Sequence, residues 1–186
     1  VRKSDSTLAK PIRTDHDLPM SVVFVGVLLV MGGVVATPHV LGIGSPLFVR
    51  VVGAICIAIF AFMFVTVSSR IVGLVGVSSN PTSGMTIVTL LGTSLVFYML
   101  GWTDDFGKAA ALTVGTVVCI ASSIAGDISQ DLKAGYIIGA TPRKQQTSEL
   151  IGAATSAFAV AASVWLLGKA YGFPSQELPA PQATLM

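Results

Sequence analysis

Asp127 and Asp131 stand four residues apart, with Gln130 between them and Lys133 just beyond, in the stretch GDISQDLKAGYIIGATPRKQQTSELIG at 126–152. On a helix, two carboxylates at that spacing share a face and repel by about 0.2–0.5 kcal/mol even in water. At mid-depth in a membrane each charge costs about 2.5–3.5 kcal/mol on insertion scales. Either the pair sits in interfacial water as part of a solvated loop, or something offsets it: a cavity, a proton on one carboxylate, Lys133 or a bound cation. Proton exchange is the chemistry such a pair offers. Glu149, two turns into the apolar run that follows, is a third acidic candidate for that role. Gln130 and Tyr136 add an amide and a phenol able to hold a polar solute.

A second polar constellation lies upstream in SSRIVGLVGVSSNPTSGMTIVTLLG, residues 68–92. Ile71 to Val77 is too short to span a bilayer, and Ser78-Ser79-Asn80-Pro81-Thr82-Ser83-Gly84 interrupts any helix. Irregular backbone at membrane depth survives only when buried in protein or lining a water-filled cavity. A re-entrant or broken helix around 68–84 is expected, a device that aims half-helix ends at a transported solute. Ser79, Asn80 and Ser83 are its candidate substrate-binding groups. Asn80-Pro81 also invites a passive channel reading, although water-channel half-helices use two Asn-Pro motifs and one stands here.

These groups sit in a strongly apolar chain. Of the 186 residues, 53% are hydrophobic and 11% charged, and the mean hydropathy is +0.81. An ordinary soluble domain carries about 25% charged residues, so the composition specifies an all-α integral membrane protein. The 19 glycines suit close helix packing in lipid. A net charge of +2 gives no footing for nucleic acid. Cys56 and Cys119 lie inside apolar runs, so neither a disulfide framework nor a metal site is expected. His16 and His39 are isolated, and no cofactor motif is present.

About 20 apolar residues cross the hydrocarbon core, which predicts about five transmembrane helices. The first runs from Leu18-Pro19 to the break at Thr37-Pro38, the second from Phe48 to Val67, and the third from Met85 to Trp102. The fourth runs from Phe106 to Ala125, after N-cap chemistry at Thr103-Asp104-Asp105. The fifth opens at Thr141-Pro142 and reaches Gly168. Residues 1–17 read as a polar tail, 18–172 as the embedded segment and 173–186 as a Pro-rich loop or tail. Arg50 is expected to snorkel to the headgroups, and Arg143-Lys144 to act as a topology determinant. With the N-terminus inside, Arg2, Lys3, Lys10, Arg13, Arg70, Lys133, Arg143 and Lys144 are cytoplasmic. Only Arg50, Lys108 and Lys169 lie outside, in keeping with the positive-inside bias.

An enzyme is not indicated. Intramembrane aspartyl proteases use GxGD and a second aspartate on another span. Here Ala-Gly-Asp at 125–127 lacks the first glycine and has no partner upstream. No Ser/His or Cys/His constellation is evident.

The stretches 126–152 and 68–92 resemble two signatures of the oligopeptide transporter family, on its prokaryotic and yellow-stripe-like side, and LPAPQATLM at the C-terminus has the family's look. The resemblance covers roughly residues 18–186. It implies secondary active transport of oligopeptides or metal complexes of peptide-like chelators, usually proton-driven and here by alternating access. The bacterial inner membrane is the implied location, and lipids, cargo and protons the implied partners. Family members are much longer, which implies an internal fragment whose remaining partner is the rest of the transporter. A structural membrane subunit with the polar stretch as a docking surface is the further alternative.

Overall fold

The computed structural model describes residues 13–41 and 45–172. Five α-helices follow a short 3-10 turn at Arg13–Asp15: α1 Met20–Ala36, α2 Leu47–Leu74, α3 Thr82–Met99, α4 Asp105–Ile137 and α5 Pro142–Tyr171. A second 3-10 turn, Val77–Ser79, lies between α2 and α3. All five helices are long and apolar enough to cross a membrane, and no strand occurs among the described residues. Most of the tail expected at 1–17 and the whole of 173–186 lie outside the described residues.

Local chemistry sets the helix ends. Prolines 19, 46 and 81 precede α1, α2 and α3, and Pro142 opens α5, where a missing N–H costs nothing. Asp104 caps α4, its Oδ1 accepting from the Gly107 N–H at 3.0 Å. Both α3 and α4 stop on a left-handed glycine, Gly101 (φ 80°) and Gly139 (φ 77°). In each case the next residue's N–H reaches back five residues, Trp102 to the Phe97 carbonyl and Ala140 to that of Gly135.

Two helices differ from the sequence expectation. The second span does not end at Val67 but runs on through Ser68 to Leu74, for 28 residues in all. The fourth does not end at Ala125 but continues through Asp127 and Asp131 to Ile137, for 33 residues. In both, hydropathy falls away before the backbone hydrogen bonding does: Ser68, Ser129 and Lys133 bond across to the other helix, whereas Arg70, Asp127 and Asp131 are exposed. The interruption expected across 68–84 is correspondingly confined to residues 75–81.

Contacts fix the arrangement of α1 to α4. Phe48 of α2 meets Trp102, just before α4, with ring centroids 5.4 Å apart. At the other end Lys133 of α4 reaches Gly73 of α2. The two helices therefore run parallel. α3 runs antiparallel to both: Asn80, ahead of it, lies by Ser122, while Phe97 near its end packs edge-on to Trp102. The buried residues of α4 up to Gly126, namely Gly107, Ala110, Ala111, Val114, Gly115, Val118, Ser122 and Gly126, recur every three or four positions, with Gly135 buried beyond them. They form a stripe of small side chains that lets helices approach closely. α3 presents Met85, Thr89, Thr93 and Phe97, one per turn. Several hydroxyls are satisfied within their own helix, as in Thr66 to the Phe62 carbonyl and Thr116 to that of Leu112, whereas Thr93 Oγ1 is buried without a partner among the described residues.

α1 is tied to α2 by Arg50, whose Nη1 donates to the Val35 carbonyl at 2.7 Å. Arg50 thereby places a cation on the C-terminal turn of α1, where the helix dipole favours it. From Lys144 onward the chain forms a second body. Within it α5 has no buried residue, and Lys169 lies over the Trp165 ring at 5.2 Å.

Gly126 is the tightest helix contact of the polar end. A β-carbon there would stand 2.6 Å from Asn80 Nδ2 and 3.1 Å from Ser68 Oγ. Gly126→Ala is expected to cost about 1–3 kcal/mol by overpacking, read as a lower Tm of the detergent-solubilised transporter. Gly84→Ala, with nothing within 4 Å of its β-carbon, is expected to leave Tm unchanged or raise it.

Candidate functional site

The two polar stretches singled out from sequence meet in space. From Ser122 onward the packing face of α4 changes from apolar to polar while keeping its helical spacing: Ser122, Gly126, Ser129, Gln130, Lys133. This row lies along the last turns of α2 and the interruption at 75–81. Ser129 Oγ donates to the Ser69 carbonyl at 3.0 Å, and Lys133 Nζ donates to the Gly73 carbonyl at 2.6 Å. The Val77 N–H donates to Gln130 Oε1 at 2.9 Å. Gly73 is in the last turn of α2, where carbonyls lack intrahelical partners, so Lys133 serves as a cationic cap. Lys108, at the far end of α4, pairs instead with a carboxylate, Asp105 Oδ1 at 2.9 Å.

At the centre of the junction lie Ser68, Asn80 and Ser122. Ser68 and Ser122 are completely buried and Asn80 is half-buried. Ser68 Oγ lies 2.5 Å from the Ser122 carbonyl and 3.0 Å from Asn80 Oδ1, and Asn80 Nδ2 lies 3.4 Å from the same carbonyl. A hydroxyl has one hydrogen, so Ser68 donates to one acceptor at a time. With the amide reversed, Nδ2 donates to Ser68 Oγ while the hydroxyl serves the Ser122 carbonyl, so the node supports two hydrogen arrangements. Meanwhile Ser122 Oγ is buried with no hydrogen-bond partner among the described residues. Such a group costs about 1–3 kcal/mol.

The other sequence candidates are distributed unevenly. Ser79 is half-buried and spends its hydroxyl on the Gly76 carbonyl at 2.6 Å, closing the turn on itself. Ser83 is exposed on the first turn of α3, and Tyr136 is exposed near the end of α4. Asp127 and Asp131 are both exposed on one side of α4, away from the Gly126–Lys133 packing row. Glu149 belongs to the second body, on α5. No group of three or more His, Cys, Asp or Glu among the described residues could hold a metal ion. Ser68, Ser122 and Ser129 were not singled out from sequence. Their signal was the helical spacing of 122, 126, 129, 130 and 133, which continues the small-residue stripe into the polar stretch.

A cavity of about 230 Å³ lies at the opposite end of the bundle, lined by Pro46, Val49, Trp102, Asp104 and Phe106 among others. The N-terminal arm, in contrast, reaches the same end as the junction: the Arg143 N–H, in the first turn of α5, donates to the His16 carbonyl at 2.9 Å.

Comparison with known proteins places these features in context. The family model described as OPT oligopeptide transporter protein matches residues 1–186. A Haemophilus influenzae protein named as an oligopeptide transporter is 33% identical over 199 residues, which take in 94% of this chain and 31% of the relative. A rice (Oryza sativa subsp. japonica) protein named for metal-nicotianamine transport is 34% identical, over 52% of this chain and 15% of the relative. A rice iron-phytosiderophore transporter is 27% identical, over 66% of this chain and 19% of the relative. The chain thus spans about a third of the bacterial relative's length and less than a fifth of the plant ones. No solved structure matches it.

Removing either anchor of the junction should register as lost stability. Asn80→Ala is expected to cost about 1–3 kcal/mol, because buried partners lose their hydrogen bonds. Lys133→Gln is expected to cost about 0.3–1 kcal/mol, the worth of a cation at a helix C-terminus. Thermal unfolding of the purified transporter in detergent reads both, and an Asn80→Ala effect no larger than that of Lys133→Gln would contradict the geometry.

Proposed function

The chain belongs to the oligopeptide transporter family, and from that premise we propose that it is part of a secondary active transporter moving oligopeptides or metal complexes of peptide-like chelators. The observation that carries this reading is the convergence of α4's polar row on the interruption between α2 and α3, in a bundle otherwise clad in apolar side chains. A lipid-facing protein keeps such groups where they meet water or cargo. The names of the relatives, oligopeptide and metal-nicotianamine transporters, supply the two cargo classes.

In this reading transport is proton-coupled and proceeds by alternating access. Asp127 and Asp131, on the exposed side of α4, take up and release the proton, with Glu149 of α5 as the third acidic group. Ser79, Asn80, Ser83, Gln130 and Tyr136 are the groups available to cargo. Asn80 and Gln130 hold the interruption in the present state, so their amides become available only when that end opens. The carboxylates face outward here, and the helices that complete the path belong to the two thirds of the transporter beyond this chain, in proportion to the bacterial relative.

The end of the bundle that holds the junction also holds Arg13, Arg70, Lys133 and Arg143, whereas Arg50 and Lys108 stand at the other. The positive-inside bias makes the junction end cytoplasmic. The bacterial inner membrane is the proposed location, supported by the Haemophilus relative.

Uptake by the full-length transporter in proteoliposomes tests the reading, with a labelled tetrapeptide and ferric nicotianamine as probes. Accumulation of at least one probe above its external concentration is expected when the lumen is more alkaline than the medium. Asp127→Asn combined with Asp131→Asn is expected to reduce that gradient-driven accumulation at least tenfold. Flux indifferent to the gradient in the unsubstituted protein would favour a passive channel, and unchanged pH dependence in the double variant would remove the aspartates from the coupling.

A further inference from the structure

We infer that the Ser68–Asn80–Ser122 junction is a gate: α4's polar row parts from the end of α2 and from residues 75–81, admitting water to Ser122, while the opposite end of the bundle stays closed as the fulcrum. The inference rests on the transport reading for its purpose but not for its geometry.

The bundle is held by different forces at its two ends. Towards the Trp102 end, Val49, Ala54, Ile57, Phe97, Ala110, Ala111 and Val114 form one buried apolar cluster. Separating them creates voids that nothing refills well. Towards the junction, Val72 is buried against Gly126, and the remaining links are hydrogen bonds of Ser129, Gln130 and Lys133 to the α2 end and the interruption, those of Gln130 and Lys133 already exposed. Water replaces such bonds at little net cost. One helix, α4, carries both kinds of contact on the same face, so it can pivot about the first and release the second.

The closed arrangement is also incompletely satisfied. The Ser122 hydroxyl is wholly buried without a partner among the described residues. Entry of water supplies one, which favours opening. The interruption lets α2 and α3 separate at this end without breaking a continuous helix, and Gly126 supplies the close contact that seals the gate when shut.

The test uses the full-length transporter with its native cysteines replaced. Ser122→Cys and Val118→Cys are both substitutions at completely buried positions on α4, one at the gate and one towards the fulcrum. In membranes, Ser122→Cys is expected to react with N-ethylmaleimide at least tenfold faster than Val118→Cys. A second pair, Gly73→Cys with Ser129→Cys, should form a disulfide on oxidation, since a β-carbon at Gly73 stands 3.6 Å from Ser129 Oγ. That disulfide, introduced with Ser122→Cys, is expected to protect the thiol at position 122 at least tenfold, and to abolish uptake of the tetrapeptide and ferric nicotianamine until dithiothreitol is added. Equal inertness of the two single thiols, or undiminished uptake by the cross-linked protein, overturns the gate. Labelling that follows the disulfide in a protein moving neither probe supports the gate and counts instead against the proposed cargo.

Discussion

An interrupted helix leaves backbone amides and carbonyls without intrahelical partners, so they must be satisfied from outside the helix. The interruption at residues 75–81 is where this chain meets that constraint. The Val77 N–H is taken by Gln130, the Gly73 carbonyl by Lys133 and the Ser122 carbonyl by Ser68 and Asn80. Each partner stands on the opposite side of the junction, so the interruption and the polar part of α4 exist in terms of each other. Without the polar row, the α2 end would leave open carbonyls; without the interruption, the row would have nothing to bond.

A single register on α4 accounts for both halves of the bundle. Positions 107, 110, 111, 114, 115 and 118 carry glycine, alanine and valine, and positions 122, 126, 129, 130 and 133 carry serine, glycine, glutamine and lysine. The spacing is unbroken, so the face turned towards α2 and α3 is one continuous strip that changes chemistry along its length. α2 follows it in part, with Val49, Gly53, Ala54, Cys56 and Ile57 giving way to Ser68, beyond which Val72 is buried against Gly126.

The fold was legible in sequence to the extent that local chemistry decides it. Length and hydropathy place five helices, and Pro142 marks the start of α5 where the Thr-Pro pair suggested. The helix ends at Leu74 and Ile137 were not legible, because a hydropathy window stops at Ser68 and Gly126, whereas the backbone stops at the next glycine or interruption. Arg50 near the start of a span reads as a headgroup contact; only its distance to the Val35 carbonyl reveals the cap. At the site, both polar stretches were conspicuous, but their meeting joins residues more than 50 positions apart, such as Val77 with Gln130. Pairing at that separation is set by packing, which a single sequence does not display. It also redistributes roles: Asn80 and Gln130 bear structure in this state, and the aspartates beside them face away.

The parallel course of α2 and α4 has an electrostatic side. Each long helix carries roughly half a negative charge at its C-terminus, and α3, running the other way, carries about half a positive charge at its start. The beginning of α3 and the end of α2 are neighbours across seven residues, and the interruption therefore lies across a steep local field, positive at Thr82 and negative at Leu74. An acidic side chain introduced at one edge of those seven residues and a basic one at the other reinforce the same field, and exchanging the two opposes it.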